Sequence, residues 1–218
     1  MSVGLAVFEK DMRLIWRQRG GWFSAAAFAL ISVLVYSFAL DLAVTEVRPL
    51  LPGVLWVTFL FAGIIASGQT FAVEAEEGTF DAMLLAPVSS TTLYLAKVVS
   101  NLTVLLAIEV AVLGLGTILF NISLISFELA LIVFVGTLGY IALSTLLSTL
   151  DARVRARGVL IPVLALPLLV PLLIAAIRAT GGALGEPVGT APWLLLLSVF
   201  TLWATLGSAL LFPMVAER

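Results

Sequence analysis

Residues 22–40 read WFSAAAFALISVLVYSFAL, a run without a single charge. A secretory signal core is shorter, roughly 7–15 apolar residues, whereas a spanning helix needs roughly 20. The small residues of SFALD (37–41) loosely resemble a cleavage site, but the length favours a retained transmembrane helix. Five further apolar runs follow, giving expected spans at about 22–41, 51–73, 96–120, 128–150, 158–179 and 191–213. The polar breaks are DLAVTEVRP, the segment 74–97, NISLIS, DARVRAR and GGALGEPVGT. The expected fold is therefore all-α, a polytopic membrane protein of six transmembrane helices forming one transmembrane domain over residues 1–218.

Composition agrees. The 218-residue chain is 62% hydrophobic and 11% charged, with a mean hydropathy of +1.21; a soluble domain carries about 25% charged residues. Cys and His are both absent. That removes disulfides, thiolate nucleophiles, the commonest metal ligand and the commonest general base. A net charge of −2 is uninformative in total, but its distribution is not. Lys10, Arg13, Arg17, Arg19, Lys97, Arg153, Arg155, Arg157 and Arg218 fall on one side of the spans, and only Arg48 and Arg178 on the other. The positive-inside rule puts both termini and the 74–97 loop in the cytoplasm.

Before the first span, LAVFEKDMRLIWRQR (5–19) places Leu5, Phe8, Met12, Ile15 and Trp16 on one helical face and Glu9, Lys10, Arg13 and Arg17 on the other. This predicts an amphipathic interfacial helix over 3–19, which also serves as a positive-inside anchor. Pro162, Pro167 and Pro171 in the fifth span predict a bent packing helix. Gly114, Gly116, Gly136 and Gly139 predict close helix packing. Glu109 lies mid-span in the third run. A charged carboxylate there costs roughly 2.5–3.5 kcal/mol. It is a functional candidate, or else a hydrogen-bond partner of a Ser, Thr or Asn on a neighbouring span.

The segment EAEEGTFDAMLLAP (74–87) is acid-rich and then apolar. Thr79 suits an N-cap, Asp81 suits the first turn of a helix, and Pro87 stops it. SSTT (89–92) then caps a helix running through Lys97 into the third span. Phe80, Met83, Leu84 and Leu85 exceed what a solvated loop needs, so the membrane surface, the protein's own helices or a docked partner must cover them. No nucleophile–base pair, metal cluster or Gly-rich phosphate loop is evident. The chain is not expected to be an enzyme.

The run GTFDAMLLAPVSSTTLYLAKVVSNL (78–102) resembles the segment after the second span of ABC-2-type permeases. Phe8, Lys10, Asp11, Arg13 and Arg17 fit an F-x-K-D-x-R-x-x-x-R opening. Gly78, Asp81, Met83, Leu84 and Pro87 fit G-x-x-D-x-L-L-x-x-P, with Met83 in place of the first leucine. Together with chain length and span layout, these are similar to the heme exporter protein B (CcmB) family of the cytochrome c maturation system, in the inner (cytoplasmic) cell membrane. The resemblance implies that 78–87 is a coupling helix seated in a cytoplasmic ABC ATPase subunit, CcmA-like. Phe80, Met83, Leu84 and Leu85 would form its apolar plug, with Glu76, Glu77 and Asp81 at the rim and Gly78, Thr79 and Pro87 shaping it. It further implies a second permease copy, CcmC-like and CcmD-like membrane proteins and the haem chaperone CcmE. ATP would be bound by the partner and haem handled by the complex. Membrane lipids are expected contacts and nucleic acid is not. Protein haem ligands are usually His, Met, Cys or Tyr. With no His or Cys, and with its methionines (1, 12, 83 and 214) terminal or cytoplasmic, this chain is expected to bind no cofactor itself. The other readings are an ABC-2 permease exporting a lipid or drug, a non-transporting membrane scaffold, and a secondary transporter. The last is disfavoured by the lack of intramembrane charge pairs and inverted repeats.

Overall fold

A computed structural model describes residues 9, 12–13, 20–43, 46–76, 89–154, 160–187 and 189–216. They form six helices: α1 (Gly20–Ala43), α2 (Leu51–Glu76), α3 (Ser90–Phe120), α4 (Phe127–Val154), α5 (Leu160–Ala183) and α6 (Ala191–Ala216). No strand occurs among the described residues. Five of the helices carry apolar windows long enough to cross a bilayer, and α2 contributes an apolar stretch over Leu51–Ser67. The chain is a multi-pass membrane protein. The expected interfacial helix over 3–19 lies mostly outside the described residues. Within it, Glu9, Met12 and Arg13 are helical, and Arg13 reaches Glu9 at 2.6 Å, one turn away.

Helix ends follow local chemistry. Ser89 caps α3 by accepting from the Thr92 amide, so α3 starts at Ser90, several residues before the apolar run around 96. Its 31 residues rise about 46 Å, more than a hydrocarbon core of about 30 Å. Asn121 ends α3 in the left-handed conformation, φ 52°, which an Asn tolerates better than most residues. The Thr117 hydroxyl then accepts from the Leu124 amide, and the Ser126 hydroxyl from the Leu129 amide at the start of α4. At the end of α5, the Glu186 amide returns to the Gly181 carbonyl and Gly185 takes φ 96°. Pro167 and Pro171 lie inside α5. Each removes one backbone donor.

Helix α4 is the central post. It packs on α6, α5, α3 and α2, while α1 rests on α2 and α3. Two-thirds of the apolar window of α4 is buried, against 17% for α1 and 22% for α6. The outward faces of α1 (Phe23, Ile31, Phe38) and α6 (Leu195, Leu202, Leu210) are apolar and exposed, as a lipid-facing surface must be.

Glycines let the post be approached closely. The Trp56 ring of α2 occupies the space a Cβ at Gly136 would take, and the Tyr140 ring of α4 does the same at Gly63 of α2. At Gly139 a Cβ would stand 2.5 Å from Thr201 Oγ1 of α6 and 2.8 Å from Leu172 of α5. Gly116 faces Leu124 of its own hairpin. Gly114 differs from the sequence reading, because nothing among the described residues lies within 4 Å of its would-be Cβ.

The contrast is testable. Gly114→Ala is expected to leave the thermal unfolding midpoint in detergent unchanged or slightly raised, since Ala is the better helix former. Gly136→Ala must displace the Trp56 ring and is expected to cost about 1–3 kcal/mol, read as a lowered midpoint.

Candidate functional site

Two regions stood out in the sequence, and the structure treats them differently. In the first, Glu76 is the last residue of α2, so the helix runs on into the acidic segment. Glu77, Gly78, Thr79, Phe80, Asp81, Met83, Leu84, Leu85 and Pro87 lie outside the described residues. The flanks of that segment are described. α2 enters it and α3 leaves it from the Ser89 cap, and Lys97 is buried in the helix that follows.

The second region is Glu109, whose side chain is 1% exposed. The Thr137 hydroxyl of α4 stands 2.8 Å from each of its carboxyl oxygens. One hydroxyl carries one hydrogen, so it donates to one oxygen at a time. Beside this pair lies a small cavity of about 10 Å³, lined by Trp56, Phe59 and Leu60 of α2, Glu109, Thr137 and Tyr140, and Leu172 and Leu173 of α5. None of these lining residues is cationic. The site is therefore a small, mainly apolar cavity among four helices, with the Glu109–Thr137 pair at its edge.

Its walls are fixed by contacts already described. Trp56 is wedged against Gly136 and donates from Nε1 to the Thr180 hydroxyl of α5 at 2.9 Å. Tyr140 is pressed on Gly63, with its hydroxyl near Ser67, Ser144 and Glu109. Farther along, the Tyr94 hydroxyl of α3 donates to the Ala142 carbonyl of α4 at 3.1 Å, and its ring meets Phe212 of α6. Thr201 of α6 donates to the Val135 carbonyl at 3.0 Å. α2, α3 and α6 thus each make a polar or ring-on-glycine contact with α4, while α5 meets it through Leu172 at Gly139.

Among the described residues no three His, Cys, Asp or Glu side chains come together. The residues around the cavity carry one carboxyl and two hydroxyls, groups suited to hydrogen bonding. Of its polar residues the sequence pointed only to Glu109. Thr137 and Tyr140 were passed over, although a signal existed: Thr137, Tyr140, Ser144 and Ser148 fall at i, i+3, i+7 and i+11, one face of a helix.

Comparison with known proteins closes the assignment. A curated protein of Rhodobacter capsulatus, named heme exporter protein B, is 28% identical over 162 residues, 74% of each chain. One of the same name from Paracoccus denitrificans is 32% identical over 82 residues, 38% of each chain. The family described as CcmB protein matches residues 2–216, so the whole six-helix bundle is covered, and the chain belongs to the CcmB family.

Proposed function

We propose that this chain is the membrane permease subunit of an ABC-type complex that handles haem during cytochrome c maturation, in the cytoplasmic (inner) membrane. The observation that carries this is the family match over residues 2–216, with relatives named heme exporter protein B along much of the chain. Two features support this reading: connections between described helices are short, and the given sequence holds no phosphate-binding loop. ATP hydrolysis then belongs to a separate, CcmA-like subunit, and this chain is not itself an enzyme.

In this reading the 76–87 segment is the docking element. Phe80, Met83, Leu84 and Leu85 fill a groove of the ATPase, with Glu76, Glu77 and Asp81 at its edge. Gly78, Thr79 and Pro87 set the start and stop of the short helix. A second permease copy completes the pair that two ATPase subunits require. CcmC-like and CcmD-like membrane proteins and the chaperone CcmE complete the pathway, and haem is held by those partners. This chain binds no cofactor of its own.

Two measurements test the reading. Leu84→Asp puts a charge into the proposed apolar plug. Loss of a buried anchor typically costs about 2 kcal/mol or more, roughly thirtyfold in affinity. The ATPase subunit is therefore expected to be lost from affinity-purified complexes while the permease stays in the membrane fraction. In cells, replacing Gly78–Pro87 with a Gly/Ser linker is expected to abolish holocytochrome c, scored by haem staining, with the permease at normal abundance. Normal ATPase association and normal cytochrome in the linker variant would sink the coupling assignment.

A further inference from the structure

Glu109 is buried in the interior of α3, and the Thr137 hydroxyl of α4 is the group that meets it. The hydroxyl oxygen stands 2.8 Å from each carboxyl oxygen. Among the described residues no other hydrogen bond or ion pair reaches Glu109. A hydroxyl carries one hydrogen and an ionised carboxylate carries none. A carboxylate in this place would therefore spread a single hydrogen over two short contacts, beside a cavity whose wall is mainly apolar.

The surrounding helices do not make up the deficit. α2 lines the cavity with Trp56, Phe59 and Leu60, and α5 with Leu172 and Leu173. Trp56 Nε1 donates elsewhere, to Thr180. On α4, Tyr140 is the other titratable group of the lining; its hydroxyl lies by Ser67 and Ser144, and an un-ionised phenol brings no countercharge. Lys97 is on α3 itself, but the stretch of helix between it and Glu109 rises about 18 Å. Arg178 of α5 is on an exposed face. A buried acid with no cation and one donor is more stable neutral than charged.

We infer that Glu109 holds a proton inside the bundle and that the neutral acid and Thr137 form a reciprocal pair. The Thr137 hydroxyl donates to the carbonyl oxygen of Glu109, and the Glu109 O–H donates back to Thr137 Oγ1. Each of the two 2.8 Å contacts then has its own hydrogen, and no charge is set against the apolar wall. The proton becomes part of the seam between α3 and α4. Without it the pair falls from two bonds to one, and an anion is left beside hydrocarbon. Glu109 is thus a proton-dependent latch on α4, carried by the helix that leaves the acidic connection.

Infrared spectroscopy of the full chain at neutral pH, in a detergent without ester groups, tests this. A protonated carboxyl has a C=O stretch well above the carboxylate bands, and the stretch moves down in deuterated water. Solvent-exposed acids, with ordinary pKa values of about 4, are ionised at that pH and add nothing there. The native protein is expected to show such a band. Glu109→Gln, whose amide can still donate and accept, should remove it. Thr137→Val takes away both bonds at nearly constant shape and should move it to higher frequency. If Glu109→Gln does not fold, the Thr137→Val shift assigns the band by itself; if Thr137→Val does not fold, loss of the band in Glu109→Gln does. Absence of the band from the native protein overturns the inference. So does a band that survives Glu109→Gln, or one indifferent to Thr137→Val.

Discussion

Helices in a bilayer gain little from hiding apolar surface, because lipid is as apolar as leucine; they associate through close packing and hydrogen bonds. In this protein that constraint is met on α4. Gly136 receives the Trp56 ring, Gly139 receives Leu172 and Thr201, and Tyr140 of α4 is received by Gly63 of α2. A bulkier side chain at any of these positions would hold a neighbour away from the post. The cavity beside Glu109 exists because these approaches set the spacing of α2, α4 and α5 around it.

Polar groups in such a bundle need partners that do not depend on water at the surface. Most hydroxyls here solve this within their own helix. Thr58, Ser100, Thr103, Thr117, Ser148, Thr149, Ser198 and Thr205 each donate to the carbonyl four residues back. Such hydroxyls are satisfied wherever they sit and say little about function. The few that reach across helices are different in kind: Trp56 to Thr180, Tyr94 to Ala142, Thr137 to Glu109 and Thr201 to Val135. These set the relative rotation of the helices, since each bond forms only if donor and acceptor face the same seam.

This distinction explains what could be read from the sequence. The six helices were legible because hydrophobic run length is a local property, and the SSTT cap and the NISLIS turn are local too. The early start of α3 at Ser90 follows from its cap, which a hydropathy run alone does not register. Helix rotation is not local. Gly114 and Gly136 look alike in the sequence, yet one meets nothing and the other meets a tryptophan ring. Glu109 was visible as a charge in an apolar run. Its partner was not, because Thr137 is one of many hydroxyl residues in these helices and only the packing of α3 on α4 selects it.

The same contacts bear on how a force applied at the 77–88 connection would travel in the proposed coupled complex. That connection joins α2 to α3, and both grip α4. α2 does so through Trp56 on Gly136 and Gly63 on Tyr140, and α3 through Glu109 on Thr137 and Tyr94 on Ala142. α4 in turn makes the most extensive contact of the bundle with α6. A displacement of the connection therefore reaches the post from two sides before it reaches any lipid-facing surface. Trp56 and Tyr140, the rings of the two glycine contacts, border the same small cavity as the Glu109–Thr137 pair, so the two routes converge at one place on the post.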